Sequence, residues 1–130
     1  MTTIKGSCHC GAVAFEVQFD GEFETSKCNC SICTKTRFWK TLVPAEAFLI
    51  LKGEDSLQSY RFGSGYIEHR TCRTCGVKVF GTVPMDDMEL VAISVPCLDL
   101  EPEELVGLPV SFEDGRHDTH ENEPEVMSYL

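Results

Sequence analysis

Seven of the eight cysteines lie in three short clusters, and this spacing constrains the fold more than any other feature of the chain. The clusters are Cys8-His9-Cys10, Cys28-Asn29-Cys30-Ser31-Ile32-Cys33 and Cys72-Arg73-Thr74-Cys75. Cysteines separated by one residue form strained disulfides with each other, whereas both of their sulfurs can bind the same metal ion. The spacing therefore favours metal binding by thiolates over a disulfide framework.

Compartment and charge narrow the class of protein further. The opening residues 1–6 contain no apolar segment of the kind found in secretory signals, so we expect a cytoplasmic protein with reduced thiols. No run approaches the ~18 apolar residues of a membrane helix, and we expect no membrane partner. The formal net charge is -10, and thiolate-bound zinc adds more negative charge. Such a chain repels phosphates, so we expect no nucleic-acid partner.

The hydrophobic pattern predicts a mainly β fold. Short apolar or alternating runs bounded by Gly, Pro, Asp and Ser predict strands at 13–19, 48–51, 59–62, 66–70, 77–80 and 90–95. Single helical turns are predicted near 44–47 and 102–105, where proline precedes acidic residues. We expect one domain over 1–130, with 113–130 an acidic tail that is either draped over the body or frayed.

The first and third clusters predict a structural zinc site. Gly11 and Gly76 each follow the last cysteine of a cluster and precede a strand, as expected for two tight turns facing each other. Four thiolates complete a closed tetrahedral site that joins distant strands. The ligands predicted are Cys8, Cys10, Cys72 and Cys75. The alternative is four reduced cysteines packed as small apolar side chains.

The middle cluster supplies only three sulfurs, from Cys28, Cys30 and Cys33. A zinc ion with three protein ligands keeps a position that can bind an incoming thiol and lower its pKa, so we predict a second, catalytic zinc here. In the alternative, Cys97 closes this centre as a second structural site. His117 and His120 are weaker candidates for approaching the open position.

Residues around the middle cluster suggest how a substrate would be bound. Four cations can receive the carboxylates of an acidic thiol, or form a solvated surface run: Lys27, Lys35, Arg37 and Lys40. Phe38 and Trp39 can wall a pocket or belong to the core.

The order of these motifs resembles a known family. Three segments carry the resemblance: residues 6–13, the C-x-C-x₂-C cluster at 28–33, and Tyr60-Arg61-Phe62 leading to Cys72-Arg73-Thr74-Cys75-Gly76. In these segments the chain resembles the glutathione-dependent formaldehyde-activating enzymes, a family that includes centromere protein V-like members. The resemblance runs from about Gly6 to Gly115. Phe38 stands where many relatives have glycine.

This resemblance implies a fold, cofactors and an activity. The fold is a β-tent of small coiled antiparallel sheets around the four-cysteine zinc site, and the cofactors are zinc ions at two sites, the second open to partial occupancy. The activity is that of a carbon-sulfur lyase, which forms or cleaves a thiol-aldehyde adduct such as S-hydroxymethylglutathione, with Cys28, Cys30 and Cys33 catalytic. The partner is then a small thiol or thiol adduct such as glutathione. The alternative is a non-catalytic, zinc-stabilised binding module for protein partners.

Overall fold

The computed structural model describes residues 1–130 and contains ten strands and two short helices. The strands are β1 (Thr2–Ser7), β2 (Ala14–Phe19), β3 (Thr25–Cys28), β4 (Trp39–Pro44), β5 (Phe48–Lys52), β6 (Leu57–Tyr60), β7 (Glu68–Cys72), β8 (Lys78–Met85), β9 (Met88–Ser94) and β10 (Val110–Glu113). The helices are α1 (Ser31–Thr36) and α2 (Pro102–Val106). Neither helix is long and apolar enough to cross a membrane.

The strands form two sheets. One has three antiparallel strands in the order β1-β2-β5, and the other has seven in the order β10-β3-β4-β9-β8-β7-β6. The pairs between strands are antiparallel, as expected, except at one edge, where β10 pairs in parallel with β3. A parallel pair needs a long connection, and β10 returns to β3 from the far end of the chain.

The core lies between the sheets and is built on alternating side chains. In β2, Phe15, Val17 and Phe19 are buried while the residues between them are less buried, as expected for a strand with one face against the core. Phe48 bridges the sheets, because its ring lies 5.2 Å from that of Phe15 and 4.7 Å from that of Phe80.

The mainly β prediction is confirmed, and most predicted elements are present. All six predicted strand runs overlap observed strands. Strands β6, β7 and β9 begin or end within two residues of the predicted bounds, whereas β8 continues five residues beyond its predicted end at residue 80. A 3₁₀ turn at Ala45–Ala47 and helix α2 occupy the two predicted helical positions. Strands β1, β3, β4 and β10 and helix α1 were not predicted.

The acidic tail is folded onto the body. The backbone N-H of Asp114 donates to the carbonyl of Asn122 at 3.0 Å, which closes a loop over residues 114–122. Further along, Arg37 Nη1 donates to the carbonyl of Tyr129 at 2.9 Å. The tail therefore lies over β3 and α1, the two elements that carry the middle cysteine cluster.

Gly53, which follows β5, allows the packing around the first cysteine turn to be tested. Gly53 has φ +84°, and a Cβ there would overlap the carbonyl of Ala12. We expect Gly53→Ala to lower the free energy of unfolding by about 3 kcal/mol or more, since both strain and a backbone clash arise. Gly21 has φ +86° with open space around it, so Gly21→Ala is the matched control and should cost about 1 kcal/mol. Equal losses in urea denaturation would contradict the proposed close approach.

Candidate metal centres

The first and third clusters bring four sulfurs together. The Sγ atoms of Cys8, Cys10, Cys72 and Cys75 all lie within 4.8 Å of one another. The Cys8–Cys10 and Cys10–Cys72 separations are both 3.7 Å. Tetrahedral zinc with Zn–S bonds of about 2.3 Å requires sulfurs about 3.8 Å apart. The four sulfurs can therefore hold a metal ion with little rearrangement.

Two turns of the same shape position these sulfurs. In each, the N-H of the first cysteine donates to the carbonyl of the residue five positions later, at 3.1 Å for Cys8 and 3.0 Å for Cys72. The glycine after each second cysteine has positive φ, +80° for Gly11 and +79° for Gly76. A residue with a Cβ is strained at such φ values, which explains glycine at both places.

Backbone N-H groups favour the thiolate form at this centre. The N-H of Val13 donates to Cys8 Sγ at 3.3 Å. The N-H groups of Cys10 and Val77 at the sulfur of Cys75 lower the pKa of that thiol to about 6. Thiolates are the form that binds metal, so the turns prepare the sulfurs for an ion.

Cys97 belongs to neither group of neighbouring donors. Its side chain is buried in the core with Cys8 and Cys72, and its thiol donates to the carbonyl of Lys78 at 3.8 Å. Burial raises the pKa of this thiol, which suits a protonated core residue. The geometry therefore does not support Cys97 as the residue that closes the second centre.

The middle cluster forms the second group. The sulfurs of Cys28, Cys30 and Cys33 lie within 4.8 Å of one another. Cys28 ends β3, and Cys30 is the residue directly before α1. Cys30 and Cys33 lie three residues apart, and this spacing brings side chains together on one helical face. The helix is one and a half turns long because Arg37 adopts a left-handed conformation at φ +52° and ends it.

The three middle thiols are strongly coupled. Hydrogen bonds from the Cys28 and Cys33 thiols hold the pKa of the Cys30 thiol far below its ordinary value. The same contacts, with Cys28 first and Cys30 second, raise the pKa of the Cys33 thiol. Three sulfurs this close cannot all ionise without a compensating charge. A divalent cation supplies that charge, so the donor set fits zinc.

Two residues of the tail approach this cluster: His120, one of the two weaker candidates from the sequence, and Glu113, which was not predicted. A carboxylate oxygen of Glu113 and a ring nitrogen of His120 lie within 4.8 Å of each other and of Cys28 Sγ. Gly115 allows this approach, because a Cβ there would lie 2.5 Å from Cys28 Sγ and 3.2 Å from His120 Cε1. His117 points elsewhere, with its Nδ1 2.8 Å from Asp114 Oδ2.

Asn29 fixes the tail to the cluster. This side chain is 4% exposed and lies between Cys28 and Cys30 in the sequence. Its Nδ2 donates to Asp114 Oδ1 at 2.8 Å, and its Oδ1 accepts from the N-H of Arg116 at 2.9 Å. The bond from Asn29 is the main cause that lowers the pKa of Asp114. A buried amide with both ends bonded holds the loop in one position.

A cavity of about 140 Å³ adjoins the second cluster. Cys28 and Cys33 lie on one side of it, and Phe38 and Trp39 form an aromatic wall. Of the four cations predicted to surround the cluster, Lys27 and Arg37 line the cavity. The other two do not: Lys40 Nζ pairs with Glu113 Oε1 at 3.0 Å, and Lys35 is exposed on α1. The cavity thus combines thiolates, apolar walls and two positive charges.

Lys78 is a further cation near this cluster that the sequence analysis did not single out. Its Nζ lies 3.8 Å over the ring of Phe38 and 2.9 Å from His69 Nδ1. Burial lowers the pKa of Lys78, and the thiolates at Cys33 and Cys30 act in the opposite direction. The ammonium lies against the aromatic wall and partly balances the negative cluster.

A larger groove of about 670 Å³ has the opposite charge. Its lining includes five carboxylates and no lysine or arginine. The acidic residues are Asp20, Glu22, Glu24, Glu46 and Glu113. This surface repels an anionic substrate, so the smaller cavity is the better candidate for an acidic thiol.

Comparisons with known proteins agree with this arrangement. Residues 3–107 match the family described as "Glutathione-dependent formaldehyde-activating enzyme". A Halomonas elongata protein named "Putative glutathione-dependent formaldehyde-activating enzyme" is 52% identical over 33 residues, which are 25% of this chain and 21% of that protein. The aligned segment thus spans about a fifth of that relative. A crystal structure of a Rhodobacter sphaeroides protein is 29% identical with a TM-score of 0.70, covering 82% of this chain and 99% of that one.

The four-sulfur group generates a prediction about stability. We expect Cys72→Ser to release one equivalent of metal and to abolish cooperative unfolding, because a buried ligand that joins two segments is lost. Cys97→Ala is the matched control, since it removes a buried thiol outside both groups. It should keep the full metal content and lower the free energy of unfolding by about 1 kcal/mol. The metal content and the unfolding of both variants are measured. If Cys72→Ser kept the full metal content and unfolded cooperatively, as Cys97→Ala is expected to do, the assignment of Cys72 as a ligand would be contradicted.

His69 generates a prediction about pH. Burial and then the charge of Lys78 lower the pKa of His69 to about 4, against about 6.5 in the unfolded chain. The folded state therefore binds fewer protons, and this contribution to stability is lost as the pH falls from 6.5 to 4. We expect His69 to account for roughly 2 to 3 kcal/mol of that loss. In urea denaturation at several pH values, His69→Phe should show a shallower decline than wild type. Parallel declines would contradict a neutral buried His69.

Proposed function

The chain belongs to the glutathione-dependent formaldehyde-activating enzyme family, and on that premise we propose that it is a zinc-dependent carbon-sulfur lyase acting on a thiol-aldehyde adduct. S-hydroxymethylglutathione is the adduct that the family description suggests. The observation that carries the proposal is the three-thiolate group beside a cavity with two cations and an aromatic wall.

Cys28, Cys30 and Cys33 are the proposed ligands of the catalytic ion. Zinc bound there supplies positive charge that stabilises a substrate thiolate and polarises an aldehyde oxygen. These three cysteines would bind the ion as thiolates, so metal binding requires that their thiol protons have been released. We propose a second zinc at the four-sulfur group, where it has a structural role.

Lys27 and Arg37 are the proposed binding residues for the carboxylates of an acidic thiol. Lys27 Nζ lies 5.4 Å from the centre of the Trp39 ring, which holds the ammonium beside the cavity. Arg37 Nη1 donates to the carbonyl of Tyr129. A substrate carboxylate would compete for this guanidinium and bind it with two parallel hydrogen bonds, which a single carbonyl cannot do.

The size of the cavity limits what enters while the tail is in place. Its volume of about 140 Å³ lies below the roughly 300 Å³ at which small-molecule pockets begin. Tyr129 and Leu130 are part of its lining. A cavity of this volume admits the thiol end of a substrate, whereas a tripeptide thiol requires movement of lining residues such as Tyr129 and Leu130.

The proposed reaction balances without any other reactant. A bond forms between the thiol sulfur and the aldehyde carbon, the C=O double bond becomes a single bond, and the oxygen gains the proton that the thiol loses. The lyase direction reverses each change. Phe38 and Trp39 exclude water from one side of the reacting atoms, which strengthens the electrostatic interactions within the cavity.

All eight cysteines are free, and we propose a reducing compartment, the cytoplasm, as the place of action. Thiolates that bind a metal and a thiol substrate both require that the cysteines stay reduced.

The test is exchange NMR of formaldehyde with glutathione, using protein whose zinc content has been counted. We expect wild type to accelerate the exchange and Cys30→Ser to lose the acceleration, because one ligand of the proposed catalytic ion is removed. Cys30→Ser should still retain the zinc of the four-sulfur group and unfold cooperatively. Cys97→Ala is the matched control and should remain active.

The decisive measurement is the exchange rate with wild-type protein that has two zinc ions bound. No acceleration by that protein would exclude glutathione and formaldehyde as the substrate pair. Acceleration that persists in Cys30→Ser would instead remove the chemistry from the middle cluster.

A further inference from the structure

We propose that His120 is the fourth protein ligand of the second metal centre, so that the acidic tail closes a site of three sulfurs and one nitrogen. This inference rests on the proposed binding of zinc by the middle cluster. It goes beyond the proposed function because His120 lies outside residues 3–107, the region that matches the family.

Cys28 links the two donor sets. Its sulfur belongs both to the three-cysteine group and to the group formed with Glu113 and His120. Tetrahedral zinc places a sulfur and a nitrogen ligand about 3.6 Å apart, and the His120 nitrogen lies within 4.8 Å of Cys28 Sγ. His120 is not grouped with Cys30 and Cys33, so its ring has to turn toward these two sulfurs. Its side chain is 65% exposed and can change rotamer without displacing core residues.

The loop that carries His120 is held against the cluster independently of the ring. Asn29 bonds Asp114 and the N-H of Arg116. Asp114 also pairs with Thr119 in an isolated bridge, directly before His120. Gly115 packs on Cys28 Sγ with no room for a Cβ. The backbone on both sides of the loop is therefore fixed, and only the imidazole has to move.

His120 is favoured over Glu113 as the ligand for two reasons. Glu113 Oε1 already pairs with Lys40 Nζ at 3.0 Å. The second reason is the charge of the site. Three thiolates on one Zn²⁺ give a net charge of about -1; a neutral imidazole leaves that charge unchanged, whereas a carboxylate would make it more negative. Glu113 has a supporting position instead, since its Oε1 lies 3.5 Å from His120 Nδ1. Carboxylates commonly orient metal-bound histidines in this way.

A nitrogen ligand on an exposed tail has a consequence for substrate entry. With His120 as the fourth ligand, an incoming thiol would compete with the imidazole for the ion, and all three cysteines would stay bound. The imidazole is the only one of the four ligands that lies on the tail. Ligand exchange at the ion and movement of residues 113–122 would accordingly be coupled.

The ligand is tested on ¹⁵N-labelled protein loaded with two equivalents of Zn²⁺. Long-range ¹H–¹⁵N spectra report which imidazoles carry a metal-bound nitrogen. We expect one such imidazole in wild type, its absence in His120→Ala, and its presence in His117→Ala. The His117→Ala variant is the matched control, because it removes a histidine only three residues from His120. His117 pairs with Asp114 and belongs to neither donor group.

Affinity gives an independent measurement. Co²⁺ titration of the second site should show about tenfold weaker binding in His120→Ala, and added imidazole should restore the wild-type spectrum. The His117→Ala titration should match wild type. Circular dichroism establishes that His120→Ala is folded, as expected for an exposed side chain.

The outcomes separate this inference from the proposed function. A second ion bound normally in wild type, with no metal-bound imidazole, overturns the role of His120 and leaves the lyase proposal intact. A metal-bound His120 without formaldehyde exchange supports the ligand and contradicts the lyase. Wild type that binds only the ion of the four-sulfur group overturns both.

Discussion

Mutual repulsion among four closely spaced sulfurs is the constraint on which the rest of the structure depends. Cys8 and Cys10 lie in the connection between β1 and β2 of the three-stranded sheet. Cys72 is the last residue of β7, and Cys75 lies in the turn between β7 and β8 of the seven-stranded sheet. Thiolates 3.7 Å apart are stable together only around a cation. An ion held by these four sulfurs would join the two sheets and link Cys10 to Cys72, which are 62 positions apart in the sequence. For a covalent link of that length the gain in chain entropy is about 4 kcal/mol, and a metal clip acts on the same term.

The sequence allowed prediction of those features that are fixed by covalent spacing. Cysteines two or three residues apart lie near each other in any fold, which is why the middle group could be predicted. The first and third clusters lie 62 positions apart, and their pairing was predicted from the glycine that follows the last cysteine of each. The mainly β fold followed from alternating runs such as that of β2. Strand β3 was missed because Thr25-Ser26-Lys27-Cys28 has no apolar alternation, and its pairing with β10 is a contact across more than 80 residues. Helix α1 was missed because its six residues are too short for helical periodicity to appear.

The surroundings of the second cluster could not be predicted for a related reason. Glu113 and His120 lie in a polar tail without periodicity, and their approach to Cys28 depends on a single buried amide, Asn29, and on the absence of a side chain at Gly115. Neither residue has a spacing that signals such a role, so the sequence named His120 only as a weak candidate beside His117 and did not indicate Glu113. Lys78 likewise belongs to a strand, and only the tertiary fold places its ammonium over Phe38. Long-range contacts made by single side chains leave no pattern along the chain.

The two ends of the tail are held by hydrogen bonds of different strength, which determines where the tail can move most easily. Near the cluster, residues 113–122 are fixed by the Asn29 network, whose rupture would leave buried polar groups unpaired at a cost of about 1 to 3 kcal/mol each. Near the cavity, Tyr129 is held by one exposed hydrogen bond from Arg37, worth about 1 kcal/mol. Pro124, which is buried, separates the two parts. Movement of the tail would therefore cost least beyond Pro124, where breaking the bond at Tyr129 frees Arg37, because the Asn29 network holds the segment that carries His120 on the cysteine cluster.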